Sequence, residues 1–219
     1  MREFIVNKRD RILVVSPHPD DECIGCGALL EKYGELCDVL LVTRGELGNP
    51  EWARGRTGRV RKKEFETAMS MAGVCRKFFL NLPDTQVQNY KKCIKQFDFS
   101  PYNYIFVPNR EDNHPDHKAV YKAVSEALKF QRLHKLLCEY EVWSPLTDYT
   151  HYILYDSDFK GTLINCYQCQ LKHIDYQRMS AGLGEFRGGL LAEHAKGEVY
   201  RIESRNCHKI ACIFGGYKA

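Results

Sequence analysis

Three short runs in this chain, "RILVVS" (11–16), "CDVLLVT" (37–43) and "NYIFVP" (103–108), are apolar almost throughout. A strand with one wet face alternates polar and apolar residues, whereas a strand covered on both faces need not. These runs therefore call for layers both above and below a sheet. Between them the pattern turns helical. "GALLEKYG" reads as a helix closing at Gly34, and 57–73 sets Val60, Phe65, Ala68, Met69 and Ala72 at helical spacing before Gly73. "CRKFFLNL" (75–82) reads as another strand ahead of the turn at Pro83-Asp84, and 115–130 as a helix with Val120, Val124 and Leu128 on one stripe. Alternating strands and helices predict an α/β fold with a doubly wound, mostly parallel sheet in three layers.

The last third is less regular. Segments 135–145 and 151–155 read as strands and 157–183 as mostly helical, with no Pro/Ser linker or repeat, so 1–219 is expected to form one domain. The 44% hydrophobic and 27% charged content suits a soluble globular protein that needs no staples. A net charge of +4 with no basic block gives no reason to expect nucleic acid as a partner. No apolar run approaches the roughly 20 residues of a membrane span. The start, "MREFIVNKRDR", lacks the apolar core of a signal peptide, which predicts a cytoplasmic protein. Its ten cysteines, including the pairs Cys23/Cys26 and Cys166/Cys169, are then expected to be small reduced thiols.

Two acid- and imidazole-rich segments follow predicted strands: "PHPDDE" (17–22) after the first and "NREDNHPDH" (109–117) after the fourth. Open α/β sheets bind ligands outside the carboxyl ends of their strands, where the strand order reverses. With the common order 3-2-1-4, the first and fourth strands flank that reversal, so the two segments meet there. His18, Asp21 and His117 can supply two imidazoles and a carboxylate to a metal and leave a position open for water. Asp20 and Asp21 are neighbours whose side chains diverge, so one can bind metal while the other holds the bound water. His114 and His117, three apart at a helix start, share a face, and the second imidazole can donate to a developing oxyanion.

"PHPDDE" followed by "HPDH" (114–117) resembles the LmbE/PIG-L family of zinc-dependent N-deacetylases. The resemblance extends to "LVTRGELG" (41–48), "RKKEFETAMSMAGV" (61–74), "LNLPD" (80–84) and "YEVWSP" (140–145). It implies a Rossmann-like fold and one Zn2+ per chain, or another divalent metal, on His18, Asp21 and His117. It further implies Asp20 as general base, His114 as the group that polarises the amide carbonyl and Asp116 as the residue orienting that imidazole. Arg61 and Asp84 match positions lining the sugar pocket. The implied reaction removes acetyl from an N-acetylglucosamine-type conjugate, a small molecule; the alternatives are a larger amide substrate, as in thiol-conjugate amidases, or a non-catalytic sugar- or nucleotide-binding module. His114 is expected to act in its protonated form. The chain departs from the family pattern at "YQCQ" (167–170), where Tyr-x-Ser-Gln is usual, and at Asn81, where Gly is usual. Oligomeric state is not indicated.

Overall fold

Alternate residues of the apolar runs enter different cores. Ile12, Val14, Val39, Leu41 and Phe106 belong to one, and Leu13, Val15, Leu40, Val42, Ile105 and Val107 to the other. The computed structural model describes residues 1–191 and 194–204. Its strands are β1 (Arg2–Glu3), β2 (Ile12–Ser16), β3 (Cys37–Thr43), β4 (Arg76–Leu82), β5 (Tyr104–Pro108), β6 (Leu136–Tyr140), β7 (His151–Tyr155) and β8 (Lys196–Ser204). The helices are α1 (Asp21–Tyr33), α2 (Arg54–Met71), α3 (Lys91–Lys95), α4 (Pro115–Phe130), α5 (Phe159–Asn165), α6 (Gln168–Leu171) and α7 (Tyr176–Leu190). Helices α1, α2 and α5 cover the first core, α3 and α4 the second, which completes a three-layer α/β fold.

The eight strands run in the order β1-β7-β8-β6-β5-β2-β3-β4. Strand β2 pairs in parallel with both β3 and β5, so the order reverses beside its carboxyl end, as the sequence pattern predicts. Three features depart from that pattern. Strand β8, with no counterpart in the sequence reading, pairs antiparallel with both β6 and β7. Helix α1 begins at Asp21, not Gly27, and is interrupted at Cys26 (φ −134°, ψ 24°). The Glu198 carboxylate of β8 accepts from the N–H groups of Ala28 and Leu29, each at 3.1 Å, so it caps the restarted helix, while Lys160 neutralises it at 2.6 Å. The strand expected over 135–145 stops at Tyr140; Glu141 turns to Arg187 and the Leu146 N–H.

The eight cysteines within the described residues are free thiols, and Cys23 and Cys26 are buried. Cys207, Cys212 and the rest of 205–219 lie outside the described residues, as do 192–193. Among the described residues no helix is long and apolar enough to cross a membrane.

Asp38 ties the far ends of three strands together. Its buried carboxylate accepts from Arg11 (2.8 Å), Arg76 (2.7 Å) and the Tyr102 hydroxyl (2.8 Å). Burial disfavours its charge, but the bonds from Arg76 and Tyr102 prevail and hold its pKa below the usual range. A depressed native pKa stabilises the fold above the unfolded value and ceases to do so as pH falls through the native one. Asp38→Asn should therefore cost about 1–3 kcal/mol in urea unfolding near pH 7. The difference should shrink below about pH 4; a pH-independent difference would assign the loss to packing alone.

Candidate metal centre and active-site cleft

The loop after β2 is held in a strained shape. Asp20 has φ 130°, a backbone region that L-residues rarely enter. Glu22, fully buried, maintains it: its Oε2 accepts from Ser16 Oγ (2.7 Å) and from the Asp20 N–H (3.3 Å), and its Oε1 accepts from the Tyr167 hydroxyl. Arg61 closes the other side, donating to Pro19 O (2.6 Å), Asp20 Oδ2 (2.9 Å) and Gly45 O (3.0 Å). Gly45, at φ 58°, lies so close that a Cβ there would stand 2.5 Å from the guanidinium. The "TRGE" turn thus needs its glycine to admit Arg61.

Within this frame three donor atoms converge. Asp21 Oδ2 lies 3.2 Å from His18 Nδ1 and 3.1 Å from His117 Nε2, and the two nitrogens are 3.4 Å apart. Ligands around a tetrahedral cation at roughly 2.0–2.1 Å stand about 3.3 Å from one another. The opposite ring nitrogens face carboxylates: His117 Nδ1 meets Asp112 at 3.2 Å, and His18 Nε2 meets Asp84 at 3.1 Å and Asp116 at 3.3 Å. Carboxylates there favour protons on the outer nitrogens and aim the inner lone pairs at one point. These side chains fit a divalent cation. The electrostatics agree. Burial disfavours charge on His117, yet Asp21 and Asp112 hold its pKa at about 9. Asp84, despite burial, is lowered to about 2 by His18.

His114 closes the third side, its ring centroid 4.6 Å from that of His18 and 4.8 Å from that of His117. The three imidazoles form a group with donor atoms within 4.8 Å of one another, as do His18, Asp84 and Asp116. Asp116 meets His114 through its backbone N–H, which donates to His114 Nδ1 at 3.2 Å. Its carboxylate points elsewhere, accepting from Thr85 N–H (2.7 Å) and Val87 N–H (3.1 Å) besides facing His18. Thr85 reaches it from a left-handed conformation, φ 64°. Burial together with His18 and His117 lowers the His114 pKa, which favours the neutral ring, and the donor at Nδ1 favours the tautomer with its proton on Nε2.

His18, Asp20, Asp21, Arg61, Asp84 and His114 all line one cleft of about 260 Å³, with Trp143, Ile174 and Tyr176 as its apolar wall. Asp20 is only 3% exposed; burial pushes its pKa up to about 7, against the pull of Arg61. Arg61, also 3% exposed, lines the cleft while its guanidinium holds Asp20 and the Pro19 and Gly45 carbonyls. Cys169 in "YQCQ" is buried outside the cleft lining, and its backbone N–H donates to Glu64 at 2.8 Å, a bond indifferent to Ser or Cys. Asn81 adopts φ 54°, a conformation asparagine tolerates nearly as glycine does. Sequence reasoning passed over Asp112 and Glu22 as functional residues. Both stand inside the quoted acidic clusters, which was the available signal.

The fold and this cleft define an α/β protein with a buried histidine–carboxylate centre at the switch point of its sheet. The chain belongs to the PIG-L family, described as GlcNAc-PI de-N-acetylase, which it matches over residues 13–128. A 1D-myo-inositol 2-acetamido-2-deoxy-alpha-D-glucopyranoside deacetylase of Kineococcus radiotolerans is 43% identical over 83 residues, 34% of this chain and 23% of that protein. The match thus spans about a quarter of that relative's length. The N,N'-diacetylchitobiose deacetylase of Pyrococcus horikoshii shares the fold (TM-score 0.76, 19% identity, 90% of this chain and 85% of that one). So does a 4-carboxy-2-hydroxymuconate hydratase of Pseudomonas putida (TM-score 0.64, 14% identity, 96% and 98%). The fold by itself therefore leaves the reaction open, and the side chains must decide it.

Proposed function

We propose that this protein is a zinc-dependent hydrolase that removes the acetyl group from an N-acetylglucosamine-type conjugate, giving acetate and the free amine. One observation carries the reading: three metal-type donor atoms spaced 3.1–3.4 Å apart, two of them from residues that line the cleft, stand beside a carboxyl poised near neutrality and an imidazole whose pKa is lowered by burial. His18, Asp21 and His117 are the residues that would hold the ion. Two imidazoles and a carboxylate with one open side suit zinc in a catalytic rather than a structural site. When bound, zinc supplies a Lewis acid that acidifies water and polarises a carbonyl oxygen.

The chain's own groups do the rest. Asp20 takes the proton of the water that attacks the acetamide carbon, and a pKa of about 7 suits it to return that proton to the departing amine. His114 donates its Nε2–H to the oxygen that gains charge at the carbonyl, and Asp116 N–H fixes that tautomer. A neutral donor serves here, because it need not lose a charge as the reaction proceeds. Asp84 and Asp116 hold the His18 ring, and Arg61 holds Asp20.

The test is zinc content of the purified protein together with acetate release from a panel of N-acetylglucosamine conjugates. Metal-free protein that hydrolyses them at full rate would overturn the reading, as would zinc-loaded protein that releases no acetate from any. His114→Ala should keep its zinc and lose about a hundredfold in kcat, as for a missing oxyanion donor. A neutral His114 also predicts that the alkaline limb of the pH–rate profile survives in this variant. Its disappearance would restore the charged form.

A further inference from the structure

The reaction as derived gives no task to the "YQCQ" turn (167–170), which opens α6 in the last third of the chain. Two of its side chains nevertheless reach the frame around Asp20. Tyr167 and Gln170 stand three residues apart, hence on one face of the turn, and both are buried. Tyr167 is not among the residues lining the cleft, so it touches no substrate lying there.

The two side chains lead to opposite ends of the same residue. Tyr167 donates its hydroxyl to Glu22 Oε1, and Glu22 Oε2 accepts the Asp20 N–H at 3.3 Å. Gln170 Nε2 donates to Gly48 O at 2.9 Å. Gly48 closes a turn by donating its own N–H to Gly45 O at 3.2 Å, and Arg61 donates to that same carbonyl at 3.0 Å. Arg61 then holds Asp20 Oδ2 at 2.9 Å. The backbone N–H and the carboxylate of Asp20 are thus both tied back to residues 167–170. The second tie has no slack: a Cβ at Gly48 would stand 2.5 Å from the Arg61 guanidinium and 2.6 Å from Gln170 Nε2.

Asp20 needs such ties more than its neighbours do. At φ 130° it occupies a region where a residue stays only if its surroundings over-determine it. The metal-type donors are secured separately, since the His18 N–H donates to Asp21 Oδ2 at 2.8 Å and the histidine rings face Asp84, Asp112 and Asp116. Releasing either tie therefore lets Asp20 relax and turns its carboxylate, while His18, Asp21 and His117 keep their places.

We propose that Tyr167 and Gln170 are positioning residues for the general base: they hold Asp20 in its strained conformation from both ends and so fix the direction in which it takes a proton from water. The inference rests on the reading of Asp20 as that base. It also gives the last third of the chain a part in the reaction without placing a reacting group there.

The test is a double-mutant cycle, read as acetate release from the most reactive N-acetylglucosamine conjugate of the panel above. Tyr167→Phe removes one oxygen and keeps the ring. It should retain zinc and KM and lower kcat by about ten- to a hundredfold, as for a slightly misplaced catalytic group. In the Asp20→Asn background the same change should cost less than about twofold, because the group it positions is already gone. A hydroxyl that served only the fold would lower the rate by equal factors in both backgrounds, and that additivity would overturn the proposal. Loss of zinc from Tyr167→Phe would overturn it as well, by tying the hydroxyl to the metal donors. Gln170→Met keeps the length of the side chain without its donor and should show the same lack of additivity with Asp20→Asn. It carries the cycle alone if circular dichroism finds Tyr167→Phe unfolded. A parent protein that releases no acetate, or an Asp20→Asn enzyme at full rate, fails the underlying reading before any substitution in 167–170 is made, and this proposal falls with it.

Discussion

Replacing His117 with alanine should leave the purified protein without zinc and reduce acetate release to background. His117 is fully buried, and its Nε2 is one of three inward atoms, so its loss leaves two donors where tight binding needs three. Asp112, which faces its Nδ1, would then be a buried carboxylate without that partner. His18→Ala should behave alike, since His18 Nδ1 is the second imidazole donor and its Nε2 separates Asp84 from Asp116. Metal analysis, circular dichroism and kinetics on the same samples distinguish an emptied site from a collapsed fold. Asp112→Asn tests the support behind the ligand: it should retain the fold and weaken zinc affinity by about 10–100-fold. A His117→Ala protein that keeps stoichiometric zinc would move the metal to another group, of which His18, Asp84 and Asp116 is the one at hand.

The placement of this centre was legible in the sequence because two independent signals coincide. β-Branched apolar runs end abruptly at Ser16 and Pro108, and an HPD cluster follows each. Sheet topology then joins them, since β2 and β5 are neighbours at the switch point. What escaped reading depends on contacts distant in sequence. Nothing local tells that Arg61 reaches back over forty positions to Asp20, or that Glu198 caps a helix restarted after Cys26. Strand β8 was hidden for the same reason: its Glu198 and Arg201 are buried charges, neutralised by Lys160 and by Glu139 and Asp148, and buried charges mask an apolar pattern. Asp116 shows the limit at a single residue. The family resemblance gives Asp116 the task of orienting His114, and the sequence does not tell which of its groups does so: at the helix start its backbone N–H faces that ring, while its carboxylate reaches Thr85, Val87 and His18.

Asp20→Asn should keep zinc and lose at least about a hundredfold in kcat, up to the ten-thousandfold of an absent general base. Asparagine retains the shape and can still accept from Arg61, so the loop and its φ of 130° should persist. The amide cannot take the proton of the attacking water or return one to the amine. Asp21→Ala, one residue on, should instead release the metal, because its Oδ2 is the atom that both histidines approach. The two neighbours are thus divided by direction: Asp21 points into the imidazole pair, whereas Asp20 points to Arg61 across the cleft. Arg61→Gln should resemble a weak Asp20 variant, with zinc retained and kcat lowered, since it removes the cation that holds the base. The acid limb should also move upward, because Arg61 is the main influence opposing the burial that raises the Asp20 pKa. A general base protonates as pH falls, so the Arg61→Gln enzyme should lose activity at a higher pH than the parent while the alkaline side stays in place. An unmoved acid limb would detach Asp20 from that titration, and zinc lost from Asp20→Asn but kept by Asp21→Ala would exchange the roles of the two carboxylates.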